Sequence, residues 1–312
     1  MTDQELRSLV ALLDDDDPEV LSHIESKILE LGTPVIPFLE NEWSVMKDIY
    51  HQQKVENIIH QIQYNELYNL FVKWYKDEAH DLLQGVYLIA KYRFPELQKQ
   101  SIVNAIEKLR LDVWLEMNYD LSAYEKVRII NYIIYKVHGF KGNVENYHDP
   151  KNSFINDVLE SKKGNPILLA IIYILVAQKL NIPIYGVNLP QHFVLAYLEE
   201  FGKSDSKMKY NEIDKLLNRN EKVLFYINAF NQGAIFSKLN LEQFLTQIHI
   251  EPKQDFLKPC TNLEIVKRVL RNLASAYEKL GKLQKHKEVQ KLLYALGEPP
   301  INSFHDVNES EE

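Results

Sequence analysis

Gly164-Asn165-Pro166-Ile167-Leu168-Leu169-Ala170-Ile171-Ile172-Tyr173-Ile174-Leu175-Val176-Ala177-Gln178-Lys179-Leu180 is the stretch on which the fold turns. Asn165 is a good N-cap and Pro166 a good first-turn residue. Apolar residues then occupy nearly every side of the helix, which makes it a central, buried element rather than a surface one. The apolar run from Ile167 to Ala177 is about half of what a membrane span needs, so the helix belongs to a folded core. Three strand-like segments follow: Ile184–Leu189, closed by Pro190, then Phe193–Leu198 and Val223–Ile227. They are rich in β-branched and aromatic residues. Ala234–Ser237 is a candidate fourth, and a polar insert, Gly202–Asn220, interrupts the series. An antiparallel sheet packed on the Pro166 helix is the simplest arrangement.

Outward from this centre the pattern is helical. Residues 5–13 place Leu6, Leu9, Val10, Leu12 and Leu13 on one broad face. In Asp14-Asp15-Asp16-Asp17-Pro18-Glu19, Asp17 suits an N-cap and Pro18 the first turn. The acidic run reads as a cap and not as a calcium loop, whose ligands alternate. The helix from Pro18 stops at Gly32, and Pro34 and Pro37 restart another through Trp43. This pair of short helices resembles a HEAT-type repeat, of which one unit is visible. Helical runs continue over 45–62, 67–75, 82–92 and 97–109, and Ser122 caps a further helix reaching Val137. Residues 139–153 read as an irregular loop and 153–159 as a short helix. Near the C-terminus, Val266, Val269, Leu270, Leu273, Tyr277 and Leu280 recur at helical steps. Gly281 stops the helix, and Val289 to Leu296 resume the pattern in a hairpin resembling one tetratricopeptide unit. The expected fold class is α+β, mainly α. The expected divisions are a helical region at 1–78, a mixed core at 79–255, a helical hairpin at 256–297 and an acidic, disordered tail at 298–312.

Composition narrows the function classes. Lys plus Arg is 36 and Asp plus Glu is 44, giving a net charge of −8 over 312 residues. Such a chain has no global field that draws in nucleic acid or an anionic membrane, and basic runs do not exceed pairs such as Lys162-Lys163. The single cysteine, Cys260, makes neither an internal disulfide nor a zinc site. A reducing compartment follows. The acidic start lacks the basic and apolar regions of a signal peptide. The expectation is a cytoplasmic protein with no cofactor, no metal, no nucleic-acid partner and no membrane partner. Its oligomeric state is not legible.

Chemistry concentrates in four blocks: Tyr147-His148-Asp149-Pro150-Lys151-Asn152-Ser153, Gly164-Asn165-Pro166-Ile167, Gly186-Val187-Asn188-Leu189-Pro190-Gln191-His192-Phe193, and Ile227-Asn228-Ala229-Phe230-Asn231-Gln232-Gly233. Their order and spacing resemble the SirB-type family of transglutaminase-like proteins, from about residue 80 to about 295. The resemblance implies a papain-like core. In that group a cysteine starts the buried helix, a histidine opens a following strand, and an Asp or Asn stands on the next. A helix N-terminus lowers a thiol pKa and offers amides to an oxyanion, the histidine moves the proton, and the third residue holds its ring. Carried over onto this chain, the three positions are Pro166, His192 and Asn228. The nucleophile is therefore absent, because a proline ring offers only saturated carbon.

Each residue also has a plainer reading. Asn165 is first a helix cap, Asn228 a corner cap, His192 a hydrogen-bonded, half-buried histidine, Tyr147 a core or rim aromatic, Ser161 a loop hydroxyl, and Cys260 a surface or core thiol. If His192, Asn165 and Asn228 converge at the helix N-terminus, with Tyr147 at the rim, they form a polar, weakly positive notch. Two functions fit. One is a non-catalytic module that binds a protein, peptide or other ligand. The other is a hydrolase or acyl transferase with His192 as general base and no covalent thiol intermediate.

Overall fold

A computed structural model describes residues 3–14, 17–77, 80–118, 120–199 and 222–299. The expected polar insert at 202–220 and nearly all of the expected acidic tail, from 300 on, lie outside the described residues, as do Asp15 and Asp16. The chain divides into two compact units, residues 1–70 and 71–312. Twelve α-helices and six strands are present among the described residues, in a mainly α, α+β architecture.

The first unit holds α1 (Asp3–Ala11), α2 (Pro18–Leu31), α3 (Ile36–Val45) and most of α4 (Ile49–Lys76). Asp17 caps α2 by accepting from Glu19 N at 2.9 Å, with Pro18 in the first turn. Gly32 ends α2 at φ +65°, a conformation that suits glycine. Leu9, Leu13, Ile24, Ile28, Leu39, Val55, Ile58 and Ile62 form the core of this unit. The two helical runs read at 45–62 and 67–75 are one 28-residue helix after a break at 46–48. Gln63 to Glu66 lie between them without glycine or proline, so they lack an apolar stripe but contain no helix breaker.

The second unit is built around α9 (Pro166–Lys179), which follows α5 (Leu82–Arg93), α6 (Lys99–Glu116), α7 (Ala123–Asn131) and α8 (Ile155–Ser161). All eleven residues from Ile167 to Ala177 are buried. Asn165 Oδ1 accepts from Leu168 N at 2.9 Å, which is the expected cap. Strands β3 (Ile184–Asn188), β4 (Phe193–Leu198), β5 (Val223–Asn228) and β6 (Ala234–Phe236) form an antiparallel sheet in sequence order, and β3 and β4 pack on α9. Helix α10 (Lys238–Gln247) covers the other side: Leu241 and Leu245 join Val187, Val194, Ala196 and Tyr226 in a second core cluster. The hairpin of α11 (Asn262–Lys279) and α12 (Leu283–Ala295) packs on α5, α9 and β3.

Several local readings shift. The loop at 139–153 contains β1 (Lys141–Gly142), paired in parallel with β2 (Lys163–Gly164). The short helix is two pieces, a 3₁₀ turn at Pro150–Ser153 and then α8, because Asp149 caps the proline turn by accepting from Lys151 N. The helix capped by Ser122 changes at Tyr132–Val137 to a π-helical turn. The His138 N–H then reaches back five residues to Ile133 O.

Candidate functional site

The turn Leu189-Pro190-Gln191-His192 delivers the histidine to the mouth of β4. His192 N donates to Leu189 O at 3.3 Å, and Gln191 sits at φ +60°. Proline followed by a positive-φ residue is the backbone of a type II turn. Phe193 follows at once on the strand, buried against Gly186. A Cβ built on Gly186 would lie 2.6 Å from Phe193 Cζ, so only glycine admits the ring here. Gly142 plays the same part for Phe230, at 2.6 Å from Cε2.

Pro166, His192 and Asn228 line one cleft of about 380 Å³, with Phe193, Val194, Phe230, Phe236, Asn240, Leu241 and Phe244. Its lining is mainly apolar. The His192 ring stands edge-on to Phe244, with centroids 4.7 Å apart. The imidazole makes no hydrogen bond to any described residue. Burial, with help from the Arg268 charge, holds its pKa below the ordinary value, so the ring is neutral at pH 7. Asn228 Oδ1 accepts from Phe230 N and Asn231 N, both at 3.1 Å, and so caps a 3₁₀ corner. The corner reading of Asn228 is met in the structure, and its oxygen does not steady the imidazole.

A second, polar cleft of about 450 Å³ shares Pro166, His192 and Phe193 with the first. Tyr147, His148, Asp149, Asn165, Gln191, Arg268, Asn272 and Lys279 are among its lining residues. The single notch expected from the sequence is therefore two adjoining clefts: Asn228 lines the apolar one, and Asn165 and Tyr147 line the polar one. Asn165 is only 7% exposed and its oxygen is occupied by the cap, so it supports the helix start more than it reaches a ligand. Tyr147 is exposed and packs edge-on to Phe230 at 5.9 Å. Buried Asn152 holds this loop by donating to Asn146 O at 2.7 Å and Tyr147 O at 3.1 Å.

Sequence reasoning missed the contribution of α11. Arg268, Asn272, Ser275 and Lys279 all face the polar cleft. Their spacings of four, three and four put them on one helical face, a signal present in the sequence but indistinguishable from an ordinary solvated stripe. Cys260 lines neither cleft. It is 6% exposed, its N–H donates to Gly186 O at 2.8 Å, and burial pushes its thiol pKa far above the usual range.

The chain is 29% identical over 212 residues to a UPF0162 protein of Xylella fastidiosa, spanning 64% of this chain and 66% of that one. It is 27% identical over 203 residues to a UPF0162 protein of Vibrio cholerae, spanning 64% and 67%. It is 29% identical over 153 residues to F-box only protein 21 of Mus musculus, spanning 49% of this chain and 21% of the mouse protein. No solved structure matches. The family described as the transglutaminase-like superfamily matches residues 100–271, a segment that takes in Pro166, His192, Asn228 and Arg268. The chain belongs to the transglutaminase-like superfamily.

Proposed function

We propose that this protein is a non-catalytic transglutaminase-like module that binds a peptide segment of a protein partner in the two adjoining clefts. The observation that carries the reading is Pro166. It lines both clefts beside His192, at the helix start where the superfamily resemblance puts the nucleophile, and its ring has no group that attacks a carbonyl. The mainly apolar lining of one cleft and the polar lining of its neighbour suit a chain that offers both kinds of surface. The relation to the mouse protein supports a module, since the shared segment is 21% of that longer chain. The SirB-type assignment, and the HEAT-like and tetratricopeptide-like character of the flanking helices, belong to the same proposal. Such helices present extended surfaces to protein partners.

The reading is tested by selecting heptapeptides from a random library on the immobilised full chain. Enrichment is expected on the wild type and is expected to fall at least about tenfold on Phe244→Ala, which removes one wall of the apolar cleft. Peptides retained equally by both chains, or none retained, would sink it. Iodoacetamide treatment of the folded protein is expected to leave binding unchanged, because Cys260 is buried as a thiol outside both clefts.

A hydrolytic reading has one observation in its favour. His192 is a neutral, solvent-reached imidazole, the protonation state a general base needs. It requires ester or amide turnover that His192→Ala abolishes and alkylation spares. Against it stands the ring, which no described hydrogen bond orients.

A further inference from the structure

Arg268 carries a charge that no carboxylate among the described residues neutralises. Its guanidinium is half-buried, and Nη1 donates to Asn188 Oδ1 at 3.2 Å and Leu189 O at 3.4 Å, both neutral oxygens. No carboxylate among the described residues pairs with it, and Nε and Nη2 make no hydrogen bond to any described residue. The turn that presents His192 thus also fixes the guanidinium fork, leaving part of it unused by the described residues. A partly desolvated cation without a counter-charge is costly to keep, which points to an anion supplied from elsewhere.

Lys279 lies eleven residues further along α11 and lines the same polar cleft. Its Nζ is 3.3 Å from His148 Nε2, with no acid partner among the described residues. Asp149 is the one acid among the described lining residues, and its Oδ1 accepts from Lys151 N. Two cations face one carboxylate, a balance suited to a singly charged anion rather than a dianion. The fork of arginine matches a carboxylate in two-point geometry. The polar and apolar clefts meet at Pro166, His192 and Phe193, so what fills them must join a charged and an apolar group over a short distance.

We infer that the bound segment carries a carboxylate within one or two residues of a large apolar side chain. Arg268 receives the carboxylate and Lys279 adds positive charge further along the same cleft, while Phe193, Phe236 and Phe244 receive the apolar group. The inference rests on the peptide-binding reading above and specifies its ligand. The carboxylate belongs either to an Asp or Glu side chain or to a peptide C-terminus.

Two random heptapeptide libraries, one with free and one with amidated C-termini, are selected on the full chain in parallel. Enriched sequences are expected to pair Asp, Glu or a free C-terminus with Phe, Tyr, Trp, Leu or Met. Enrichment in both libraries assigns a side-chain carboxylate, and enrichment confined to the free-acid library assigns the terminus. For the best peptide, Arg268→Gln is expected to weaken binding about ten- to a hundredfold, and Arg268→Lys to recover part of it. Lys279→Gln, at an exposed position that does not endanger folding, is expected to weaken it by a smaller factor and to steepen no salt dependence. Circular dichroism checks that each variant is folded. Peptides enriched in a Phe244-dependent way but without an acidic preference overturn this inference and leave the binding module standing. Undiminished affinity in both Arg268→Gln and Lys279→Gln overturns it as well. No enrichment at all overturns both readings.

Discussion

At His192 two effects act in the same direction: burial disfavours the imidazolium, and so does the Arg268 charge. The expected NMR titration midpoint lies below the model-peptide value of about 6.5, and Arg268→Gln is expected to move it part of the way back up. A midpoint at or above that value would contradict the geometry. The consequence for stability has a definite sign. The unfolded chain binds the proton more readily, so stability present above about pH 6.5 falls as the pH drops towards the folded midpoint. His192 and Asn228 were legible as site candidates because histidine and asparagine follow turn and strand signals at family-like spacing. Arg268 was not, because a basic residue on an amphipathic helix looks the same whether it meets water or a cleft. Only the turn at Leu189, 79 residues away in the chain from Arg268, distinguishes the two cases.

At the scale of elements, the clefts depend on two glycines that let aromatic rings approach the backbone. Gly186→Ala would drive a Cβ to 2.6 Å from Phe193 Cζ and 3.0 Å from Ile265 Cδ1. Both neighbours are buried, so the rings and methyls have little room to retreat. The expected cost is about 1–3 kcal/mol in urea denaturation, together with weaker binding of the selected peptide, since Phe193 lines both clefts. Full stability in this variant would show that the ring is not held as described. Helix α9 and the four strands were legible because hydrophobic period and caps agree there. The π-helical turn at Tyr132–Val137 was not, since its residues continue the helical period of α7 and only the backbone bonding differs. The β1–β2 pairing joins two-residue segments twenty-two positions apart, too short to carry a strand pattern.

At the scale of the whole second unit, the mixed core and the C-terminal hairpin depend on each other. Val266, Val269, Leu270 and Leu273 of α11 are fully buried, and Tyr92 of α5 donates to buried Glu288 of α12 at 2.7 Å. The hairpin is therefore a wall of the core and of the polar cleft together. A chain ending at Lys258 is expected to lose near-UV circular dichroism and to bind a dye specific for exposed apolar surface, because α5, α9 and β3 lose their cover. A cooperative thermal transition in that truncated chain would show instead that the core stands without the hairpin. No helix among the described residues is long and apolar enough to cross a membrane.

The sequence by itself determined the buried helix from Pro166 and the antiparallel sheet that follows. Both depend on local chemistry: a cap and a hydrophobic period. The tertiary structure alone decided that the expected notch is two clefts, and that Arg268 and Lys279 line the polar one together with His192. Those facts depend on side chains brought together from distant parts of the chain, where three-dimensional packing, and not spacing along the sequence, sets which groups meet.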